Sequence, residues 1–401
     1  MKRVRGKLRV SLLVILALCI ATGGVYAWKS LQKQEPPMKQ TVSQKVQQKK
    51  VGPSGVVKFV AMGDMLAHDS VVAQAKTAEG YDFKPYYKNI RPLYKDVDAV
   101  FCNAEGLTTG AQFGLSGYPA FNAPTEFARD LVDGAGCNVI NLANNHMNDK
   151  GQAAIDANVA VWEGLQPLAF AGANRTPQEQ QQVKYFTKNW VKVAFVAFAD
   201  YSNNKNLTPY GINIYHNTEL VKKLVGEARA NADAVVVSAH WGTEDANVVN
   251  ADQTAVAQLF ADSGADVVIG TGPHVLQPLR YVTAADGRKT LVWYSIGNML
   301  SSQLKVDELT GIIAGFTLTK QASGGVVVSA PTAQITFMSY DWLVADKAAQ
   351  RLSARSNLQL RTLAGSGSAA AEMFGAAYTQ AERESYVRST LGTEAGVVIT
   401  P

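Results

Sequence analysis

Six polar motifs in this sequence carry metal-binding or proton-transferring side chains, and each directly follows an apolar run typical of a buried strand. The motifs are Gly63-Asp64…His68, Asn103…Glu105-Gly106, Asn144-Asn145-His146, His240-Trp241-Gly242-Thr243-Glu244, Gly272-Pro273-His274 and Gly297-Asn298. Of the five histidines in the chain, only His216 lies outside them. Imidazole and carboxylate groups suit zinc, manganese or iron, and an amide oxygen can complete the coordination shell. The motifs therefore predict a divalent metal site that polarises a phosphoryl or carbonyl oxygen and lowers the pKa of bound water.

The sequence gives no support to other common catalytic sites. No Gly-x-Ser-x-Gly elbow follows a strand-like run, as a serine nucleophile on an α/β-hydrolase fold requires. Neither a Gly-x-x-x-x-Gly-Lys-Ser/Thr phosphate loop nor a Gly-x-Gly-x-x-Gly turn follows a strand. Taken singly, Asp64 and Asn145 also suit strand-end caps, and His146 and His240 suit structural hydrogen bonds. Their common position at the ends of strands favours a shared site.

The elements that must position these motifs alternate between strands and helices. Strand-like runs cover residues 56–64, 99–106, 138–146, 191–200, 234–242, 267–274, 291–300 and 311–319. Helix-like segments cover residues 125–132, 151–165, 219–230 and 252–262. This alternation predicts an α/β fold with helices on both faces of the sheet, which brings the carboxyl ends of the strands to one edge. After about residue 321 the pattern predicts paired strands and then helices over 341–363 and 369–391.

Composition and charge exclude two classes of protein. With 47% hydrophobic and 18% charged residues among 401, the chain is not intrinsically disordered. The net charge of +5 arises at the N-terminus, since residues 1–50 carry eleven Lys and Arg but one Glu, and the rest has a net charge of −5. Nucleic-acid binding by the main body therefore lacks its usual electrostatic support.

The first 54 residues predict a membrane anchor followed by a tether. Five cations precede an uninterrupted apolar run over residues 10–28, whose nineteen residues are just long enough to cross a bilayer core of about 30 Å. The cations are expected to stay in the cytoplasm, which places the rest of the chain outside it. A cleaved signal peptide is the alternative, but the apolar run is longer than is usual for one. Residues 29–54 are rich in Gln, Lys and Pro and predict a disordered linker.

Cys102 and Cys137 lie in or beside strand-like apolar runs. A disulfide between them is possible in an oxidising compartment, but two buried thiols are the favoured interpretation, because free cysteine behaves as a small hydrophobic residue.

The six motifs, in this order and over roughly residues 56–318, resemble the CapA family. These are capsule-synthesis proteins associated with poly-γ-glutamate and have a calcineurin-like metallophosphoesterase fold. The resemblance rests on Gly63-Asp64-x-x-x-His68, Asn103-Ala104-Glu105-Gly106, Leu142-Ala143-Asn144-Asn145-His146, His240-Trp241-Gly242-x-Glu244, Gly272-Pro273-His274-Val275-Leu276-Gln277-Pro278 and Tyr294-Ser295-Ile296-Gly297-Asn298. It implies a layered α/β sandwich in which helices cover central β-sheets, preceded here by one transmembrane helix. The expected organisation is a cytoplasmic segment (1–9), a transmembrane signal anchor (10–28), a linker (29–54), a CapA-like domain (55–320) and a C-terminal strand and helix extension (321–401).

The resemblance also implies roles for individual residues. The implied metal ligands are Asp64, His68, Glu105, Asn145, His240 and His274, with Glu105 bridging two ions. His146, oriented by Asp149, is the implied acid that protonates a leaving group. From the same motifs we expect Asn144, Trp241, Glu244 and Asn298 to contact substrate, with Trp241 at the floor of the pocket.

Two positions depart from the pattern of the wider superfamily. The first strand is followed by Asp-x-x-x-His where Asp-x-His is usual, and Gly272 stands where a further imidazole is usual. We therefore expect one or two ions of Mn, Fe or Zn.

Two functions remain open at the level of sequence. One is a metal-dependent, phosphoesterase-like hydrolase on the outer face of the cytoplasmic membrane, which uses a metal-bound hydroxide on a phosphoester or an anionic envelope polymer. The other is a non-catalytic scaffold or polymer-binding component of the capsule assembly complex. In both, the expected partners are capsule-synthesis membrane proteins and the polymer, not nucleic acid.

Overall fold

The computed structural model describes residues 55–401. The predicted cytoplasmic segment, signal anchor and linker lie outside the described residues and remain predictions. No helix within 55–401 has both the length and the apolar character needed to cross a bilayer.

Fifteen strands in the described residues form two mixed sheets. The strands are β1 Val56–Leu66, β2 Ala99–Glu105, β3 Val139–Asn141, β4 Ala169–Ala171, β5 Lys184–Lys188, β6 Val191–Ala199, β7 Ala234–His240, β8 Val267–Thr271, β9 Leu276–Thr283, β10 Lys289–Ile296, β11 Asn298–Leu300, β12 Thr310–Lys320, β13 Val326–Asp341, β14 Ser356–Thr362 and β15 Val398–Thr400. The larger sheet has the order β14-β13-β12-β1-β2-β3-β4, with β11 paired to β1 and β15 to β13. The smaller sheet has the order β5-β6-β7-β8-β10-β9.

Ten α-helices of the described region connect or flank these strands. They are α1 Asp69–Ala75, α2 Lys84–Tyr87, α3 Thr125–Asp133, α4 Gln152–Leu165, α5 Pro177–Gln180, α6 Thr218–Asn231, α7 Ala251–Ser263, α8 Val344–Ala348, α9 Ala369–Phe374 and α10 Gln380–Leu391. Short 3₁₀ turns lie at Arg91–Tyr94, Gly110–Phe113, Leu352–Ala354 and Ala364–Ser366. The α/β class is thus confirmed, and the helices predicted at 125–132, 151–165, 219–230 and 252–262 form close to those bounds.

The two sheets pack against each other, and helices cover their outer faces. One large buried cluster takes side chains from both sheets, and within it the rings of Phe101 on β2 and Phe195 on β6 lie 6.1 Å apart. A second cluster lies between the smaller sheet and helices α6 and α7, with Leu224 and Phe260 fully buried. The central strands β1 to β4 run parallel, as do β6, β7, β8 and β10. Parallel pairing places the carboxyl ends of each set at one edge.

The C-terminal segment differs from its sequence-based prediction. The apolar stretch after residue 325 is one long strand, β13, which pairs with β12 and β14 instead of folding back on itself. The helix predicted over 341–363 is wrong, since most of that stretch is the short helix α8 and strand β14. Leu358 and Leu360 are buried two residues apart, the spacing of a strand, and β13 supplies the pairing edge.

Cys102 on β2 and Cys137 before β3 form a disulfide. The expectation of two buried thiols is therefore wrong. Strands β2 and β3 are neighbours in the sheet, and this pairing brings the two cysteines to a Cα–Cα distance of 5.9 Å, within bonding reach.

Candidate metal centre

Three buried side chains from the ends of three strands meet at the edge shared by the two sheets. Potential ligand atoms of Asp64 on β1, Glu105 on β2 and His240 on β7 all lie within 4.8 Å of one another. The first two come from the larger sheet and the third from the smaller one. The packing of the sheets therefore assembles a group that suits a divalent metal ion.

Glu105 is the least satisfied group in this cluster. Its side chain is buried, and neither carboxylate oxygen has a hydrogen-bond partner among the described residues. Two histidine nitrogens lie near Glu105 Oε1, His240 Nε2 at 3.7 Å and His274 Nε2 at 3.9 Å, both beyond hydrogen-bond distance. Burial, reinforced by the negative charge of Asp64, raises the pKa of Glu105 well above its usual range.

Asp64, in contrast, is surrounded by donors. Asn103 Nδ2 donates to Asp64 Oδ1 over 2.7 Å, and His274 Nδ1 lies 3.1 Å from Oδ2. The backbone N–H of Gly272 also donates to Oδ2 over 3.3 Å. Burial works to raise the pKa of Asp64, but the hydrogen bond and positive charge of His274 outweigh burial and lower it.

The two histidines at the centre have opposite electrostatic tendencies. Burial lowers the pKa of His240 to about 4, in spite of the attraction of Asp64. Burial also opposes the charging of His274, but the facing carboxylates of Glu105 and Asp64 prevail and raise its pKa to about 10. His240 is therefore neutral near pH 7, the form in which imidazole binds a metal.

Asn145 is held at the centre by His240. His240 Nε2 lies 3.0 Å from Asn145 Oδ1, while Nδ1 is 3.2 Å from Asn103 Nδ2 and 3.1 Å from Thr271 Oγ1. Since the Asn103 amide can only donate to Nδ1, the neutral ring of the metal-free protein carries its proton on Nε2 and donates it to Asn145; a metal bound at Nε2 would replace that proton.

The backbone at Gly272 explains why no imidazole stands there. Its φ is +107°, and a Cβ atom would lie 2.7 Å from the carbonyl oxygen of Trp241 and 3.3 Å from His240 Nε2. A side chain at this position would collide with the strand that carries His240. Two residues later, His274 itself has φ of 63°, an uncommon conformation for a residue with a side chain. The glycine at position 272 and the uncommon backbone conformation of His274 together define the shape of this loop.

His146 and Asp149 form a hydrogen-bonded pair beside the metal cluster. His146 Nδ1 lies 2.7 Å from Asp149 Oδ2, which also accepts the backbone N–H of Phe121 over 2.7 Å. The edge of the His146 ring packs against Phe121 at 4.7 Å between centroids. On the other side, Asn203 Nδ2 approaches both ring nitrogens.

His68 has a different set of neighbours. Its Nδ1 accepts the backbone N–H of Ser302 over 3.4 Å, and its ring lies 5.3 Å from that of Phe121. Within residues 55–401, no hydrogen bond or ion pair joins it to Asp64 or Glu105. Burial, with the charge of Arg355 second, lowers the pKa of His68 to about 3. The structure thus does not bring His68 into the Asp64, Glu105 and His240 group, and its role as a ligand stays a prediction.

Three of the four residues expected at the substrate are buried and bonded to protein groups. Asn144 Nδ2 donates to the Ala104 carbonyl, Trp241 Nε1 donates to the Tyr294 carbonyl, and Asn298 Oδ1 lies 3.0 Å from His274 Nδ1. Glu244 is exposed and adds to the negative charge felt by Glu105 and His274. These positions orient the loops of the centre, and contact with substrate stays a prediction.

Sequence reasoning assigned no role to two neighbours of the centre. Asn103 orients Asp64 and is itself held by Asn141 Nδ2 over 2.8 Å. A polar residue inside the fully buried strand β2 was the available clue. Asn203 lies in a loop without a strand-end motif, so its approach to His146 could be found only from coordinates.

Comparison with known proteins gives consistent matches. Residues 58–303 match the family model described as "Bacterial capsule synthesis protein PGA_cap". The chain is 30% identical over 191 residues to the PGA biosynthesis protein CapA of Bacillus subtilis (strain 168), which covers 46% of this chain and 48% of that protein. It is 31% identical over 180 residues to the capsule biosynthesis protein CapA of Bacillus anthracis, covering 43% and 42%. The matches span about half the length of these curated relatives.

Among solved structures, the calcineurin-like phosphoesterase YfkN from Bacillus subtilis aligns with a TM-score of 0.41 at 13% identity, over 71% of this chain and 91% of that one. A score of this size does not by itself establish a common fold.

Proposed function

The chain belongs to the family of the bacterial capsule synthesis protein PGA_cap, and from this premise we propose that it is a metal-dependent hydrolase with a metallophosphoesterase-like centre. The observation that carries the proposal is Glu105, a buried carboxylate whose two oxygens have no partner in the described part of the chain. Burying an unpaired carboxylate is costly, and a bound cation would offset that cost.

The donor set fits a divalent ion. Asp64, Glu105 and His240 would hold it, with His274 and the amide oxygen of Asn145 as further candidates. A mixture of carboxylate and imidazole suits Mn, Fe or Zn, in one or two ions. When bound, such an ion supplies Lewis acidity toward a phosphoryl oxygen and a lower pKa for coordinated water.

The chain's own residues supply the proton chemistry. Asp149 accepts the Nδ1 proton of His146 over 2.7 Å and so fixes the ring orientation and tautomer. In its protonated form, His146 can donate from Nε2 to the leaving-group oxygen. Phe121 makes an edge-to-face contact with this ring, which is buried.

We also propose where the protein acts and on what. The relatives' names refer to PGA and capsule biosynthesis, which supports a phosphoester or another link of an anionic envelope polymer as substrate. The basic N-terminus and apolar run support a single-pass anchor in the cytoplasmic membrane with the main domain outside. The Cys102–Cys137 disulfide is compatible with that oxidising side. Capsule-synthesis membrane proteins are the proposed partners.

Metal analysis combined with hydrolysis of an aryl phosphate tests this function. The wild type is expected to carry about one or two equivalents of Mn, Fe or Zn, and His240→Ala is expected to lose metal and activity together. The matched control is His146→Ala, which should keep the metal and lose turnover of phenyl phosphate, whose leaving group needs a proton. Metal-free wild-type protein with an intact fold and no turnover would support the scaffold function instead.

A further inference from the structure

Arg355 is a buried cation without a carboxylate partner. It follows the 3₁₀ turn Leu352–Ala354 and is 6% exposed. Its guanidinium lies over the rings of Tyr340 and Trp342, at 5.4 and 5.7 Å from their centroids. Its Nε donates to the Leu352 carbonyl over 2.7 Å. Among residues 55–401 no salt bridge neutralises it.

The two terminal nitrogens of Arg355 are available to a ligand. Neither makes a hydrogen bond within the described chain, and neither is among the solvent-sealed side-chain atoms that lack a partner. Both therefore keep some exposure to solvent. Stacking on two aromatic faces offsets part of the cost of burying the charge, but it leaves a forked pair of donors unused. That fork matches two oxygens of a phosphate or a carboxylate.

A series of packing contacts connects the turn before Arg355 with the candidate acid His146. The 3₁₀ turn before it packs on α1, which begins directly after His68. The charge of Arg355 reaches His68, where it helps to lower the pKa. The His68 ring in turn contacts Phe121, and Phe121 contacts His146. These contacts lead from the turn before Arg355 through the rings of His68 and Phe121 to His146.

Burial lowers the pKa of Arg355; the charge of Asp69 opposes this shift, but Asp69 forms no salt bridge with the guanidinium. Asp69 Oδ1 instead accepts the backbone N–H of Gly117 over 3.1 Å. Within the described chain, no neighbouring carboxylate therefore occupies the two terminal nitrogens of Arg355.

Arg355 also differs from nearby cations in having no salt bridge within the described chain. Lys305 and Arg383, in contrast, are paired, with Asp245 and with Asp307 and Glu382. Arg355 is therefore available to compensate the charge of a ligand.

We propose that Arg355 is a substrate-binding residue that takes two oxygens of a phosphate or carboxylate group of the substrate. The choice of substrate rests on the proposed hydrolase, but anion binding by Arg355 does not require turnover. The residue lies beyond the matched range 58–303, so the C-terminal segment contributes a specificity residue that the family match does not cover.

Calorimetry on the full-length chain tests this inference, with inorganic phosphate and glutarate as probes. Arg355→Gln is expected to weaken binding of the preferred probe by about ten- to a hundredfold, the effect of losing a charge-assisted pair of hydrogen bonds. A preference for phosphate points to a phosphoester group, and a preference for glutarate points to the carboxylates of a polymer. The matched control is Arg361→Gln, an arginine on the following strand with no ion pair in the described chain, which should leave both affinities unchanged.

A kinetic readout separates this inference from the proposed function. With an aryl phosphate, Arg355→Gln is expected to raise KM about tenfold with kcat nearly unchanged, because the contact binds ground state and transition state alike. If the wild type has neither metal nor turnover, the hydrolase is wrong, while the calorimetric result still decides the role of Arg355.

Arg355→Lys guards against a folding defect in the Gln variant. It keeps the positive charge but loses the fork, and we expect it to bind the probe about tenfold more weakly than the wild type. Circular dichroism and the unfolding midpoint establish that each variant is folded. Unchanged affinity in either folded variant, or an equal loss in Arg361→Gln, would overturn the proposal.

Discussion

At Glu105 the fold places a carboxylate where the protein offers no donor to it. Asp64 shares the same cavity but has Asn103, Gly272 and His274 as partners. The pKa values of two neighbouring acids thus shift in opposite directions, because one is paired and the other faces burial and a like charge. A cation bound at Glu105 would supply the partner that this carboxylate lacks.

Glu105→Gln is expected to stabilise the metal-free protein at alkaline pH. The folded pKa of Glu105 lies above its ordinary value of 4.5, so between those values the folded state holds a proton that the unfolded state has released. Stability of the wild type in EDTA therefore falls as pH rises above 4.5, while the amide is insensitive to pH. Urea unfolding at pH 5 and pH 8 should give Glu105→Gln an advantage that grows to about 1–3 kcal/mol.

The exposed Glu244→Gln is the control and should change stability by less than about 0.5 kcal/mol. With Mn²⁺ or Zn²⁺ at about a hundred times the dissociation constant, the order should reverse, since the wild type then gains about 2.7 kcal/mol from binding. If the unfolding free energies of wild type and Glu105→Gln changed with pH in parallel, the ionisation of Glu105 would not destabilise the folded state.

His146→Ala tests proton donation through the leaving group. Phenyl phosphate releases a basic phenolate that needs a proton, so we expect kcat to fall by about 10²–10⁴-fold. p-Nitrophenyl phosphate releases a stable anion, so the fall in kcat with this substrate should be much smaller. Asp149→Asn should show the same dependence of kcat on the leaving group, but with a smaller loss, because it disturbs only the orientation of the His146 ring. An equal loss with both substrates would mean that His146 does not protonate the leaving group.

At the scale of elements, the strand ends were predictable and the loops between them were not. Asp64, Glu105 and His240 each end an apolar run, and pattern alone placed them at one edge. From the sequence alone, Gly272 is interpreted as the loss of a metal ligand. In the structure, its positive φ and its contact with Trp241 make glycine a requirement of the turn. The disulfide and strand β14 escaped prediction because both depend on a neighbouring strand being already in place.

Gly63 shows how tightly one strand is held where it delivers a ligand. A Cβ atom there would lie 1.7 Å from the carbonyl oxygen of Gly297, which accepts the N–H of Asp64 over 3.2 Å. Gly63→Ala must therefore displace β1 and Asp64, and we expect a loss of at least about 1–3 kcal/mol in unfolding free energy.

The same substitution at Gly226, inside helix α6, is the control. Nothing lies within 4 Å of its Cβ position, and alanine should stabilise the helix by about 0.5–1 kcal/mol. Urea unfolding of both variants measures the contrast. A neutral Gly63→Ala would mean that the strand end is loose and does not fix Asp64.

At the scale of the whole molecule, the segment after residue 320 completes the larger sheet. Strand β13 pairs with β12 along most of its length, and β14 and β15 pair with β13. The fragment 55–320 would therefore expose an unpaired apolar edge at β12, where Ile312 and Leu318 are buried. We expect this fragment to aggregate while 55–401 stays soluble, as gel filtration can show. A monomeric fragment 55–320 with the unfolding midpoint of the longer chain would make the tail an independent appendage.

The oxidation state of Cys102 and Cys137 reports on the compartment in which the body folds. Both cysteines are fully buried, Cys102 on β2 and Cys137 just before the neighbouring strand β3, 35 residues apart in sequence. Closing a loop of this size stabilises the folded state by about 3–4 kcal/mol in the chain-entropy model. If residues 1–28 export the domain, the full-length chain taken from cells under alkylating conditions should carry the disulfide, and deletion of 1–28 should leave both thiols free in the reducing cytoplasm. Peptide mass spectrometry distinguishes the two states. The double variant Cys102→Ala with Cys137→Ala should lose as much unfolding free energy as the wild type loses when its disulfide is reduced. Free thiols in the full-length chain would contradict an extracytoplasmic body.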